Sequence, residues 1–179
     1  DLGYSDSVVR AEEPGLQSAI WSVRKAALNI VMSMKGDGKP ISFVEDCAVP
    51  LENLAEYTAR LTEVFSKHGT TGTWYAHASV GCLHVRPILN LKDDTDVVKL
   101  RSIADAAHEL VREFKGSHSG EHGDGLARSE FVKRQYGAKN YQIFKQIKKF
   151  FDPKNVLNPD KIITKKSMIV KNLESFLVV

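Results

Sequence analysis

The sequence predicts an α+β fold in which an antiparallel sheet of ferredoxin-like topology carries helices on one face and is followed by further C-terminal helices. Two observations support this class. Several stretches repeat apolar residues at the spacing of an amphipathic helix. Between them lie shorter segments rich in β-branched and aromatic residues, bounded by glycine and proline. The resulting order is helix, strand, helix, strand, strand, helix.

Each predicted element begins and ends at residues that favour a boundary. Pro14-Gly15 opens the first helix, and the glycines after Met34 stop it. Pro50 occupies the first turn of the second helix, and Gly69 follows its last turn. Acidic residues at 93–96 favour the start of a third helix through the helix dipole. The predicted helices span 14–34, 50–68, 94–114, 126–136 and 139–151, and the predicted strands span 41–49, 71–79 and 82–91.

Composition limits the classes of function. The chain has 179 residues, of which 42% are hydrophobic and 26% are charged, as expected of one globular domain. Its net charge of +3 is too small to indicate nucleic-acid binding. No apolar run reaches the roughly 18 residues that a membrane span needs. The chain has two cysteines, Cys47 and Cys82, which suits a reducing compartment, and we expect a cytoplasmic protein. They form no CxxC motif, which argues against a zinc knuckle or an iron–sulfur cluster here.

Three segments are predicted along the chain. Residues 1–13 are polar and are interpreted as a linker, residues 14–163 as the folded domain, and residues 164–179, which show no clear period, as a tail. The first residues have neither the basic nor the apolar run of a signal peptide, and they do not begin with methionine. We therefore expect the sequence to be part of a longer chain.

A predicted hairpin and a glycine-rich loop contain the residues that suit a metal site. His77 and His84 flank a turn at Gly81, so strand pairing can bring both imidazoles to one end of the sheet. The loop at 116–125 contains four glycines and the pair Glu121-His122. Because glycine permits close backbone approach, the carboxylate of this loop can reach the hairpin. Two imidazoles and one carboxylate suit zinc or manganese with open coordination positions.

The other histidines have different interpretations. His122 is expected to point away from its neighbour Glu121 in an extended loop, which leaves it available as a general base. Inert, hydrogen-bonded sheet histidines remain the alternative for the hairpin pair. The remaining three are interpreted as a cation at a helix C-terminus for His68, a solvated or partly packed residue for His108 and a polar loop residue for His118.

Three cations are candidates for binding an anion. Arg24, on the first helix, can grip a carboxylate with two hydrogen bonds or cover apolar surface as an ordinary surface arginine. Lys39 lies in a glycine-containing loop and is either a second anion contact or a solvated charge. Arg86 follows His84 by two residues and therefore shares its strand face. Cys82 stays a candidate ligand, because the direction of its side chain depends on how regular the strand is.

Together these motifs resemble the C-terminal domain of FAD-linked oxidases, the glycolate oxidase, D-lactate dehydrogenase and D-2-hydroxyglutarate dehydrogenase relatives of vanillyl-alcohol oxidase. The resemblance spans residues 16–163. The hairpin reads His-Ala-Ser-Val-Gly-Cys-Leu-His, where the family usually has His-x-Gly-Asp-Gly-Asn-x-His, and this form is similar to the large members that carry an iron–sulfur module. The four motifs are Trp21-Ser22-Val23-Arg24, the hairpin at 77–84, Ser119-Gly120-Glu121-His122-Gly123, and Phe151-Asp152-Pro153-Lys154 with Leu157-Asn158-Pro159-Asp160-Lys161.

The resemblance implies an FAD-dependent dehydrogenase that oxidises D-lactate, glycolate or D-2-hydroxyglutarate, with a hydride passing from C2 to the flavin. It implies a divalent metal, zinc or manganese, that binds the substrate hydroxyl and carboxylate and lowers the pKa of the hydroxyl. The implied residues are His77, His84 and Glu121 for the metal, His122 as the base, Arg24, Lys39 and Arg86 for the substrate, and Asn158 and Lys161 for the flavin.

The resemblance also implies which other domains and molecules act together with this chain. The family's FAD-binding domain precedes this domain, and no glycine-rich flavin-phosphate loop occurs in these residues. We therefore expect the chain to be the substrate and cap half of an enzyme, inactive and largely free of flavin by itself. A homodimer, a peripheral membrane electron acceptor and an iron–sulfur cluster elsewhere in the full-length protein stay open. The alternatives from other classes are a free-standing metal hydrolase and a non-catalytic ferredoxin-like binding module.

Overall fold

The computed structural model describes residues 10–167, so the predicted linker and tail lie mostly outside the described residues. The chain divides into two compact units, residues 1–35 and residues 36–179. Among the described residues, no helix has the length and apolar character needed to cross a membrane.

The first unit contains one described helix, α1, which spans Pro14–Met32. Its N-cap, Glu13, accepts hydrogen bonds from the amides of Gly15 and Leu16 at 2.9 and 2.6 Å. None of the residues of α1 is buried, and Trp21 is 58% exposed. The predicted first helix is confirmed, although it ends at Met32.

The second unit combines helices with very short strands. A single 3₁₀ turn leads into the second helix, as the proline at its start predicts. The described helices are α2 (Leu54–Lys67), α3 (Asp94–Glu113), α4 (Gly125–Arg128) and α5 (Val132–Phe151). The described strands are β1 (Lys39–Pro40), β2 (Cys47–Ala48), β3 (Gly72–Thr73), β4 (Ala76–His77), β5 (Cys82–Leu83) and β6 (Arg86–Leu89).

The strands form two small antiparallel sheets, with the orders β1-β6-β3 and β2-β5-β4. In each sheet, the predicted hairpin supplies the inner strand and one outer strand. Thr73 of β3 pairs with Arg86 of β6 in the first sheet, and His77 of β4 pairs with Cys82 of β5 in the second. Gly81 closes the turn with a φ of +69°. The predicted α+β class with an antiparallel sheet is confirmed.

The predicted strand at 41–49 is broken in the middle. Only its end, Cys47–Ala48, pairs with β5, while the preceding strand β1 pairs with β6. The break lies at Asp46, whose φ is +79° and whose carboxylate is bound by a distant loop. Phe43 and Val44 are both 5% exposed, so this segment is buried although it does not form the regular strand that was predicted.

The predicted helix at 126–136 is also broken. Helix α4 ends at Arg128, a 3₁₀ turn covers Ser129–Phe131, and α5 begins at Val132. Within α5, Gly137 has non-helical angles, φ 80° and ψ 164°, so the helix kinks at the boundary that the sequence places between two helices.

The core of the second unit lies between α2, α3 and the strands. Helices α2 and α3 pack against each other, and α3 contacts β6. Tyr57 of α2 and Phe114 after α3 meet edge to face, with ring centroids 5.7 Å apart. The apolar stripes predicted for these two helices supply the largest fully buried side chains, which include Tyr57, Leu61, Phe65, Leu100, Ile103 and Val111.

His108 is part of this interior, and the prediction of a solvated or partly packed side chain is wrong. It is 3% exposed and its ring stacks on that of Phe131 at 4.6 Å. The reason is its position on α3, where it shares the inward face with Ala104 and Val111. Burial, followed by repulsion from His118, lowers the pKa of His108 to about 3.

His118, which is predicted to be a polar loop residue without an assigned partner, is buried as well, at 4% exposed. Its Nδ1 lies 3.0 Å from Oε1 of Gln135, and its Nε2 lies 2.8 Å from Oδ1 of Asp124. The ring therefore connects the glycine-rich loop to α5 and helps to fix the loop in place.

Candidate metal and catalytic site

Four side chains converge at the end of the β4–β5 hairpin. Oε1 of Glu121 lies 2.9 Å from Nε2 of His84 and 3.1 Å from Nε2 of His77. The same oxygen lies 3.5 Å from Nε2 of His122. The structure thus brings together all four residues that the sequence predicts for a metal-and-base site.

The hairpin positions His77 and His84. His77 in β4 pairs with Cys82 in β5, and the amide of His84 donates to the carbonyl of Tyr75 at 2.6 Å. The two imidazole planes stand at 90° with centroids 5.0 Å apart, so both Nε2 atoms can face one oxygen. The His84 side chain is 5% exposed and that of His77 is 38% exposed. The site therefore has one buried wall and one side open to solvent.

Asp46 bends the glycine-rich loop at the site. Its carboxylate accepts hydrogen bonds from the amide of His122 at 2.8 Å and from the amide of Glu121 at 3.0 Å. Successive amides point in opposite directions in extended backbone, so two neighbouring amides can share one carboxylate only where the chain bends. The bend turns both side chains toward the hairpin. The prediction that His122 points elsewhere is therefore wrong.

Backbone pairing fixes the start of the same loop. Ala48 and Ser117 form an antiparallel bridge with two hydrogen bonds of 2.8 Å. Gly116 comes so close to β2 that a Cβ atom there would lie 2.3 Å from the carbonyl oxygen of Ala48. A Cβ atom at Gly120 would lie 2.8 Å from Sγ of Cys82 in β5. The prediction that glycine lets this loop approach the hairpin closely is therefore confirmed at Gly120.

Glu45 links His122 to Arg86. Its Oε1 lies 2.9 Å from Nδ1 of His122, and its Oε2 accepts a hydrogen bond from Nη2 of Arg86 at 2.9 Å. Burial raises the pKa of this carboxyl, but the hydrogen bond from His122 and the charge of Arg86 more than offset it, so the pKa lies below its ordinary value. Nδ1–H of a neutral His122 can donate a hydrogen bond to the ionised Glu45, which leaves Nε2 of His122 as an acceptor.

Glu45 and Asp46 are the site residues that the sequence prediction missed, because it placed both inside a regular strand. The available signal is a pair of adjacent acids in an apolar segment, since charged side chains are rarely buried unless they have partners. Burial raises the pKa of the Asp46 carboxyl, but the amide hydrogen bonds from His122 and Glu121 bring it below its ordinary value.

Two of the predicted substrate contacts lie on neighbouring strands. Arg86 is in β6 and reaches Glu45, so it shares the site with His84 as its position predicts. Lys39 is in β1, where it pairs with Leu89 of β6. The strand that carries Arg86 therefore also borders Lys39.

The other predicted contacts lie elsewhere in the chain. Asn158 and Lys161 line an open groove against α5, together with apolar residues such as Phe144 and Ile147. Arg24 is on α1 in the first unit, where its guanidinium lies 6.0 Å from the centre of the Trp21 ring. The structure thus assigns the predicted flavin contacts to a groove that the histidines do not line.

The donor atoms of the site suit a divalent cation. Burial, followed by repulsion from His122, lowers the pKa of His84, which favours the neutral imidazole that binds a metal. Two groups of described residues offer ligand atoms that all lie within 4.8 Å of one another: Asp46, Cys82, His84 and Glu121, and Glu45, His84 and His122.

Cys82 faces the carboxylate of Asp46 rather than solvent. Its Sγ lies 3.6 Å from Oδ1 of Asp46, and the residue is 5% exposed. Burial and the negative charge of Asp46 raise the pKa of the Cys82 thiol to about 12. The thiol therefore keeps its proton near neutral pH, which makes Cys82 a poorer ligand than the neighbouring imidazole and carboxylate groups.

Residues 2–162 match the family model described as FAD linked oxidases, C-terminal domain. The chain belongs to this family. The resemblance inferred from the hairpin, the glycine-rich loop and the C-terminal motif is thereby confirmed for this FAD-linked oxidase domain.

Several curated proteins resemble the FAD-linked oxidase domain. A D-2-hydroxyglutarate dehydrogenase from Haemophilus influenzae is 39% identical over 163 residues, which cover 91% of this chain and 15% of the relative. The mitochondrial D-lactate dehydrogenase [cytochrome] of Arabidopsis thaliana is 30% identical over 156 residues, 86% of this chain and 27% of the relative. Glycolate oxidase subunit GlcD of Bacillus subtilis is 24% identical over 163 residues, 91% of this chain and 34% of the relative. The chain spans 14–15% of the length of the D-2-hydroxyglutarate dehydrogenases that it matches.

Proposed function

We propose that this domain is the substrate-binding half of an FAD-dependent 2-hydroxy acid dehydrogenase. The family supports FAD as the cofactor, bound mainly by a separate FAD-binding domain. The names of the relatives support a 2-hydroxy acid as the substrate. The observation that carries the proposal is the convergence of three imidazoles on the carboxylate of Glu121. The free thiols Cys47 and Cys82 are in keeping with a cytoplasmic protein.

His77, His84 and Glu121 would hold a zinc or manganese ion. Both Nε2 atoms lie within 3.1 Å of Oε1 of Glu121, and two nitrogen donors with one oxygen donor leave positions open for a substrate. When bound, the metal polarises the substrate's hydroxyl and carboxylate and lowers the pKa of the hydroxyl.

His122 would remove the proton of that hydroxyl through Nε2. Its Nδ1 lies 2.9 Å from Oε1 of Glu45, which fixes the ring and stabilises the imidazolium that forms. Glu45 is held in turn by Arg86 at 2.9 Å. Oxidation of the alcohol releases one proton, which His122 takes, and one hydride from C2. When bound, the flavin supplies the acceptor of that hydride.

The cations would bind the substrate's carboxylate groups. Arg86 donates Nη2 to Glu45, and a guanidinium has further N–H groups with which it can bind a carboxylate. Lys39 on the adjacent strand would supply a further anion contact. In the groove against α5, Asn158 and Lys161 would contact the flavin.

Anaerobic flavin reduction in the full-length enzyme tests the proposal. D-2-hydroxyglutarate, D-lactate and glycolate are each mixed with enzyme that is metal-depleted or reloaded with zinc or manganese, and the loss of flavin absorbance is followed. One acid should reduce the flavin, and depletion should slow that step by ~100-fold or more. If no 2-hydroxy acid reduces the flavin, the dehydrogenase proposal is wrong.

Two other results would identify the alternatives. Turnover of an ester or amide by the metal-loaded chain without flavin would indicate a metal hydrolase that uses the same cluster. Unchanged dehydrogenase activity in both His77→Ala and His122→Ala would indicate a non-catalytic module.

A further inference from the structure

Asp46 combines a strained backbone with a fully buried charge. Its φ of +79° lies in the left-handed region, which asparagine and aspartate tolerate better than most residues. It is 0% exposed. A buried carboxylate at such a position persists only where the surrounding donors compensate for lost solvation.

The compensating donors come from one short segment of the glycine-rich loop. The amides of His122 and Glu121 donate to the Asp46 carboxylate at 2.8 and 3.0 Å, and the hydroxyl of Ser119 donates at 2.9 Å. The main-chain oxygen of Asp46 accepts the amide of Gly120 at 2.6 Å. Asp46 therefore binds every residue from 119 to 122.

The bond pattern determines where the functional side chains point. Alternating amides of an extended segment would send Glu121 and His122 to opposite sides. Because both amides are bound by one carboxylate, both side chains reach the hairpin, and their charged and ring atoms come within 3.5 Å of each other.

Arg128 binds the backbone next to Asp46 and lies near its carboxylate. Its Nη1 donates to the carbonyl of Glu45 at 2.9 Å and its Nη2 donates to the carbonyl of Gly123 at 2.6 Å, which ties the broken strand to the end of the loop. Nη2 also lies 3.8 Å from Oδ2 of Asp46. The positive charge of Arg128 therefore offsets the buried negative charge of Asp46, although the two groups lie beyond hydrogen-bonding distance. The hydrogen bonds to the Asp46 carboxylate come from the loop.

We propose that Asp46 is the positioning residue of the metal site, because by binding the consecutive amides of Glu121 and His122 it sets the affinity for the metal. This inference rests on the proposed function, since it gives Asp46 a role toward the ion that His77, His84 and Glu121 would hold. Asp46 acts through the loop backbone and is not itself required as a ligand.

The test is Asp46→Asn in the 179-residue chain. Asparagine keeps the size of the side chain and tolerates the positive φ, but it replaces one acceptor oxygen with a donor that faces an amide. The matched control is Asp152→Asn, because Asp152 is 6% exposed and likewise binds two consecutive amides, those of Val156 and Leu157, at 2.9 Å.

Two quantities are measured for each variant: zinc affinity by competition with a chromogenic chelator, and amide hydrogen exchange of residues 119–122 without metal. Asp46→Asn should weaken zinc binding by ~10–100-fold, the usual loss for a group that orients ligands, and should accelerate exchange at 121 and 122. Asp152→Asn should leave both quantities unchanged even if it lowers the unfolding midpoint.

The outcomes separate this inference from the proposed function. Equal zinc affinity in Asp46→Asn and the parent chain overturns the positioning role, whatever happens to exchange. If the parent chain binds neither zinc nor manganese, the proposed metal site is wrong. In that case the exchange measurement still tests whether Asp46 orders the loop, and unchanged exchange at residues 121 and 122 in Asp46→Asn overturns that role.

A second variant covers the case in which Asp46→Asn does not fold. Ser119→Ala removes only the hydroxyl that donates to Oδ2 of Asp46 at 2.9 Å and leaves the charge in place. It should weaken zinc binding by a smaller factor, about 2–5-fold, because the two amide hydrogen bonds that orient Glu121 and His122 remain. No loss of zinc affinity in this variant argues against the inference.

Discussion

The imidazole of His84 stacks on that of His122, with ring centroids 4.8 Å apart and planes 16° apart. One ring is buried and the other is 43% exposed, so the stack runs from the wall of the site to its opening. Burial, followed by repulsion from His122, lowers the pKa of His84, which favours the neutral form of the buried ring in this stack. The stack thereby suits the proposed division of roles, in which His84 binds the metal and His122 is the base.

Removing one predicted ligand should abolish tight metal binding. His77→Ala should weaken the zinc affinity of the chain by more than ~100-fold, because loss of a ligand costs more than loss of an orienting group. The readout is competition with a chelator. His68→Ala is the control, since His68 binds the carbonyl of Val64 at the end of α2. Equal affinity in His77→Ala and His68→Ala would exclude His77 as a ligand.

Neutralising Glu45 should slow the chemical step. In the full-length enzyme, Glu45→Gln should lower the rate of flavin reduction by ~100-fold with little change in KM, because His122 loses the carboxylate that fixes its ring and stabilises its protonated form. Glu113→Gln is the matched control, since Glu113 also pairs with an arginine, Arg60, at 2.5 Å. A rate for Glu45→Gln equal to that of Glu113→Gln would contradict an orienting role.

His108 should make folding stability depend on pH. The folded pKa of about 3 lies below the usual value of 6.5, so between these values the unfolded chain binds a proton that the folded chain does not. Stability is therefore present above pH 6.5 and is lost as the pH falls. The loss from this residue between pH 7 and pH 5 should be about 2 kcal/mol.

Denaturant unfolding of His108→Leu at both pH values measures this contribution. The variant should lose less stability on acidification than the parent chain. His84, whose pKa is also lowered by burial, adds a loss of the same sign in both chains. An identical loss in His108→Leu and the parent would show that His108 is not kept neutral by the fold.

Two glycines with nearly the same backbone angle should respond differently to alanine. Gly69 and Gly81 have φ values of +67° and +69°, so each substitution carries the left-handed penalty of roughly 1 kcal/mol. A Cβ at Gly81 would also lie 2.0 Å from the carbonyl oxygen of Val49, whereas a Cβ at Gly69 meets nothing within 4 Å. Gly81→Ala should therefore cost at least ~2 kcal/mol more than Gly69→Ala. Urea unfolding of the two variants measures the difference, and equal costs would refute the close contact.

Local sequence signals account for much of the fold. Asp93 accepts the amide of Thr95 at the predicted start of α3, and Gly81 closes the predicted turn between the two histidines. These boundaries depend on side-chain capping and on glycine's freedom at positive φ, which are properties of a few adjacent residues. The same signals fail at residues 41–49, because the break at Asp46 depends on a loop far along the chain.

The composition of the site was predicted, but the arrangement of its support was not. Spacing and residue type indicate His77, His84, Glu121 and His122, since imidazole and carboxylate are the groups that metal chemistry needs. They do not indicate Glu45, which aligns His122, because the contact joins segments that are distant in the sequence.

The sequence by itself determined the element order, the hairpin and the identity of the ligand-type side chains, because each depends on residues that are neighbours along the chain. Only the tertiary structure decided that the loop bends at Glu121 and His122, that Asp46 holds this bend, and that His108 is buried. The physical reason is that a buried carboxylate takes whichever donors the packed fold brings to it, and local propensity contains no information about those donors.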